Sequence, residues 1–135
     1  MSKSVIACVE DLFFRSKIEA TARHLNVPLR FVGANELAAA CGDARTAAVL
    51  LELSGNGDAL AAVRDLRKAR VTAGLPVIGF LSHVEKDLAR NAEAAGVSRV
   101  MARSEFSETL PDLLMDLLNP GTKREVQEEP ELPDE

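Results

Sequence analysis

Short runs of consecutive apolar residues alternate along this chain with longer stretches in which apolar positions recur every three or four residues. Residues 5–9 (VIACV) form the first run, with no polar break, as a strand covered on both faces requires. Phe14, Ile18, Ala22 and Leu25 then fall on one helical stripe across residues 12–26, and Asp11 stands where an N-cap belongs. Residues 29–32 predict a second short strand ended by Gly33. Asn35 is placed to cap a short alanine-rich helix that closes at Gly42. Residues 47–53 predict a third strand, apolar except for Glu52, and residues 54–57 (SGNG) predict a turn. Asp58 is placed to cap a helix carrying Leu60, Val63 and Leu66 and ending near Gly74. Residues 76–81 predict strand four. Ser82 and Glu85 have the spacing of a capping box for a helix running to Gly96. Residues 99–103 predict strand five, and Phe106, Leu110, Leu113, Leu114, Leu117 and Leu118 mark helix five.

Strands alternating with helices in this way predict an α/β domain whose parallel sheet is covered on both faces, with right-handed crossovers. The domain is expected over residues 1–119. Residues 120–135 are rich in Glu and Pro and are expected to be disordered, because they hold too little apolar area to offset the entropy of ordering them.

Charge sharpens this division. The formal net charge is −5, but six acidic residues against two basic ones follow Pro120, which leaves the preceding part close to −1. A nearly neutral domain without a basic stripe is a poor nucleic-acid binder. The absence of Trp and Tyr argues against sugar-binding or base-stacking surfaces. No apolar run is long enough to span a membrane, and Glu10 and Asp11 come too early for a signal peptide, so a cytoplasmic location without membrane partners is expected. Cys8 and Cys41 fit no metal or redox spacing.

The element order, the acidic residues after strand one, the acidic residue ending strand three, Leu75-Pro76-Val77-Ile78, and Ala94-Ala95-Gly96 before strand five together resemble the receiver domains of bacterial response regulators. The strings at residues 11–14, 79–84 and 102–104 are also similar to a group of uncharacterised receiver-like bacterial proteins. The resemblance covers roughly residues 4–118. It implies a flavodoxin-like, three-layer α/β/α fold with a five-stranded parallel sheet in the order 2-1-3-4-5, and a site outside the carboxyl ends of the strands.

Receivers carry an acidic pair that holds Mg²⁺, an acceptor Asp ending strand three, a Thr or Ser ending strand four and a Lys ending strand five. By position, Glu10 and Asp11 match the pair, although another register puts Val9 and Glu10 there. Glu52 stands in the acceptor position, Leu81 in the hydroxyl position with Ser82 one residue late, and Arg103 in place of the Lys, followed by Ser104 instead of Pro. Glu is longer than Asp by about 1.5 Å, one C–C bond. A misplacement of ~1 Å can cost on the order of 10²-fold in rate, and Arg for Lys exchanges a compact ammonium for a planar fork. The expectation is therefore a stand-alone degenerate receiver, not an enzyme, that is not phosphorylated at Glu52 and acts through protein contacts.

Several residue-level expectations follow. Glu52 is expected to be a fixed negative charge paired with Arg103. Glu10, Asp11 and Glu52 are weighed as a weak Mg²⁺ site against a plain capping role for Asp11. The leucine-rich arc of helix five suggests Leu110, Leu114 and Leu118 as an interface with a protein partner or a second copy, on the face formed by helix four, strand five and helix five, and is weighed against an arc that is core contact alone. Ser82 beside His83 is read as a helix cap and not as a nucleophile–base pair, since no third residue orients the imidazole. The alternative function is a flavodoxin-like small-molecule or anion binder, with Arg103 and the Gly55 loop holding the anion.

Overall fold

The apolar runs become the strands of one sheet. In the computed structural model, which describes residues 3–42, 45–54, 58–82 and 85–119, they are β1 (Ser4–Cys8), β2 (Leu29–Phe31), β3 (Thr46–Glu52), β4 (Val77–Leu81) and β5 (Arg99–Ala102). All pairings are parallel, in the order β2-β1-β3-β4-β5. The connections carry α1 (Leu12–His24), a 3-10 turn (Ala34–Glu36) leading into α2 (Leu37–Ala40), α3 (Ala59–Lys68), α4 (Lys86–Ala95) and α5 (Arg103–Leu118).

Successive residues of a strand point to opposite faces, so an unbroken apolar strand feeds two cores. Ile6, Val49, Leu51, Val77 and Leu81 pack with Leu37, Val63 and Leu66 on one side. Val5, Ala7, Leu50, Ile78, Phe80 and Met101 pack with Ile18, Phe106 and Leu110 on the other. Phe80 and Phe106 stack at 4.3 Å between centroids, and Phe14 lies 5.0 Å from Phe80. Gly79 sits mid-strand because Leu53 lies across it: a Cβ there would meet Leu53 Cδ1 at 2.8 Å. Gly96 ends α4 at φ 114°, in the left-handed region that glycine tolerates.

The leucines expected at an interface are core residues instead. Leu110 and Leu114 are fully buried, and Leu118 is partly buried against the same cluster. With Phe106, Leu113 and Leu117 they form one broad stripe, which the sheet and α1 absorb. No spare apolar face arises from Leu110 or Leu114.

Two caps and one helix end also differ from expectation. Asn35 lies inside the 3-10 turn, whose cap is Gly33, held by its amide donating to Glu36 Oε1 at 3.1 Å. Ser82 does not cap α4, which begins at Lys86. Glu85 instead accepts a hydrogen bond from Ser54 Oγ at 2.9 Å. Helix α3 stops at Lys68, not near Gly74, because Thr72 Oγ1 donates back to the Leu66 carbonyl at 2.6 Å and Arg67 takes the carbonyls of Thr72 and Ala73. Asp11 does cap α1, accepting from Phe14 N at 3.1 Å.

Among the described residues no helix is long and apolar enough to cross a membrane. The expected turn at residues 55–57, His83 and the acidic tail at 120–135 lie outside the described residues.

Candidate functional site

Because all strands run the same way, β1, β3, β4 and β5 end along one edge of the sheet, and the residues that follow them converge there. Glu10 and Asp11 follow β1, Glu52 ends β3, Leu81 ends β4 with Ser82 next, and Arg103 opens α5 directly after β5.

Hydrogen bonds join four of these residues. Glu52 Oε1 accepts from the backbone amides of Glu10 at 2.7 Å and Asp11 at 3.1 Å. The two oxygens of Asp11 are divided: Oδ1 accepts from Phe14 N, and Oδ2 pairs with Arg103 Nη2 at 3.2 Å. The guanidinium of Arg103 also lies 4.9 Å over the ring of Phe14, a cation–π contact. The expected Glu52–Arg103 pair is thus replaced by two separate pairings. The long side chain of Glu52 reaches the amides that open the β1–α1 turn, while Arg103, on the first turn of α5, lies against α1 and meets Asp11.

The same division decides the metal expectation. Mg²⁺ requires near-octahedral oxygen ligands at close range. Here one Glu52 oxygen faces two N–H groups and each Asp11 oxygen already has a donor. Among the described residues no three His, Cys, Asp or Glu side chains are grouped to hold a metal ion. The donor set of Glu10, Asp11 and Glu52, as arranged, does not fit Mg²⁺.

At the end of β4, Leu81 is buried and offers no hydroxyl, and the Ser82 carbonyl accepts from Glu85 N at 3.1 Å. Pattern reading did not single out Phe14, Ser54 or Glu85 for the site. Phe14 was legible only as a core residue, although an aromatic three residues after an N-cap on the sheet edge is a natural seat for a cation. The Ser54–Glu85 bond ties the segment after β3 to the one before α4 over the same edge. Cys8, just inside the edge, has its thiol pushed up from 9.0 to about 11 by burial, reinforced by the nearby Glu10 and Glu52. Beside the site a groove of about 520 Å³ is lined by Glu10, Gly33, Asn35, Asp58 and Asp65, among others.

No protein-family model matches the chain, and no curated protein matches it. Solved structures do. The receiver domain of a sensor histidine kinase from Pseudomonas aeruginosa, with magnesium in its active-site cleft, superposes with a TM-score of 0.74 at 18% identity, covering 87% of this chain and 98% of that one. A response regulator from Hahella chejuensis gives a TM-score of 0.74 at 19% identity, covering 91% and 100%. A chemotaxis response regulator of Vibrio cholerae gives 0.73 at 15%, covering 87% and 100%. This chain has the flavodoxin-like α/β/α fold of response-regulator receiver domains.

Proposed function

We propose that the chain is a degenerate receiver-fold signalling module of the cytoplasm, neither an enzyme nor phosphorylated at the end of β3, that acts through contact with a protein partner or a second copy. The observation that carries this reading is the seating of Glu52. It occupies the acceptor position and its carboxylate is held by the amides of Glu10 and Asp11. A phosphoryl group would add about −1.5 to −2 of charge at such a place; Glu52 supplies a smaller, permanent one. Leu81 in place of a hydroxyl and Arg103 engaged with Asp11 support the same reading, since two further groups that would meet a phosphoryl oxygen are altered. The contact surface is assigned to the outer face of α4, β5 and α5. With Leu110 and Leu114 in the core, its contacts fall to the exposed side chains of those elements.

The anion-binding alternative is weaker. The groove beside Glu10 is lined by carboxylates, which repel an anion, and Arg103 already faces Asp11.

The test is incubation with Mg²⁺ and a small phosphodonor such as acetyl phosphate, read by intact mass, alongside an amide NMR titration with beryllofluoride. The expected result is no phosphoryl mass gain and no joint movement of Glu10, Asp11, Glu52 and Arg103. A mass gain, or shifts spreading from these residues into α4 and α5, would overturn the reading.

A further inference from the structure

Carboxylates converging on one sheet edge repel one another, and something positive must offset them. In this chain the offset is internal. Glu52 Oε1 receives two backbone N–H groups, at 2.7 and 3.1 Å. Asp11 receives the Phe14 N–H and the guanidinium of Arg103, which is itself seated on the Phe14 ring. We infer that Arg103 and the amides of the β1–α1 turn are a built-in replacement for a divalent cation, so that the carboxylates of Asp11 and Glu52 are held by the fold alone and the conformation of the cleft is independent of Mg²⁺. This deepens the reading of the cleft as a receiver-type site and rests on it only for the choice of cleft.

The replacement depends on two side-chain lengths. Glu52 reaches across from β3 to the β1–α1 turn; an Asp at the same position would fall short by about 1.5 Å, one C–C bond. Arg103 spans from the start of α5 to Asp11 Oδ2 with a fork that can face the carboxylate while its plane lies on Phe14. An entering Mg²⁺ would have to draw Glu52 off two amides and Asp11 off the guanidinium. It would also have to shed part of a tightly held water shell.

Two measurements test this. In the first, thermal unfolding of the full chain is followed in millimolar MgCl₂ against NaCl of matched ionic strength, for the wild type and for the double variant E52D/R103M. Selective binding to the folded state raises Tm. The wild type is expected to show the same Tm in both salts. The double variant, with both offsets withdrawn, is expected to gain a Mg²⁺-specific rise. A Mg²⁺-specific rise in the wild type, or a folded double variant that ignores Mg²⁺, would overturn the inference.

Should the double variant not fold, amide hydrogen exchange of the wild type and E52Q decides. Loss of the charged acceptor should speed exchange at Glu10 and Asp11 on the order of tenfold relative to the rest of β1. Equal rates would show that Glu52 does not hold the turn. These outcomes are separate from phosphodonor labelling: a mass gain would remove the claim that the end of β3 is not phosphorylated, while the Tm comparison reads Mg²⁺ binding to the folded chain directly.

Discussion

At the scale of single residues, Cys8 shows how the strand-end edge acts on its neighbours. It ends β1 only 8% exposed, and burial, then Glu10 and Glu52, raises its thiol from 9.0 to about 11. The thiolate is the reactive form, so the native protein should resist alkylation by iodoacetamide at pH 8 and react rapidly once unfolded in urea, as intact mass would record. The raised value also bears on folding. Its contribution to stability is fully present below pH 9 and is lost as pH climbs through about 11, because the unfolded chain gives up that proton first. Which residues stand at the edge was legible in the sequence, since each apolar run fixes where its strand ends. Their partners were not. Opposite charge suggested Glu52 with Arg103, but every residue except proline carries an N–H, and no composition marks the two amides that Glu52 selects.

Among the elements, α5 carries a visible internal cost. Pro111 sits in its interior, exposed, where it removes one helical N–H and crowds the preceding turn. Pro111→Ala is expected to stabilise the protein by about 1–3 kcal/mol, given the roughly 3 kcal/mol gap in helix propensity. The check is a higher urea midpoint at an unchanged m-value. Element order and type were legible throughout, because strand and helix periods differ so clearly. Helix ends were less so. The end of α3 depends on Arg67, which donates to the Gly96 carbonyl at 2.9 Å and to Ser98 Oγ at 3.3 Å as well as to the Thr72 and Ala73 carbonyls. A side chain answering backbone some 30 residues away leaves no periodic trace. The stripe on α5 is ambiguous for another reason: its width suits either a spare face or a broad core contact, and α1 and the sheet together present a surface wide enough to bury it.

Over the whole molecule, stability resides in the two apolar layers and owes little to charge. Every ion pair among the described residues, from Arg23–Glu19 to Arg103–Asp11, keeps each side chain at least 31% exposed. Such pairs contribute roughly 0–1 kcal/mol and are screened by salt. Their screening is expected to cost about 1 kcal/mol in total, so raising NaCl from low to molar concentration should lower Tm by roughly 4 °C, the shift per kcal/mol between the 60–100- and 150–250-residue size classes, which calorimetry would check. Sheet order was legible at this scale, because right-handed crossovers between parallel strands leave few ways to arrange five of them.

The contact between Gly79 and Leu53 carries this to the history of the chain. A methyl group at position 79 would overlap Leu53 Cδ1, and Leu53 is the residue directly after Glu52, its amide donating to the Phe80 carbonyl at 2.9 Å. The two positions are coupled: enlarging residue 79 requires the Leu53 side chain to move or to shrink. That constraint falls one residue beyond the carboxylate that ends β3, so drift at position 79 is felt at the edge of the site.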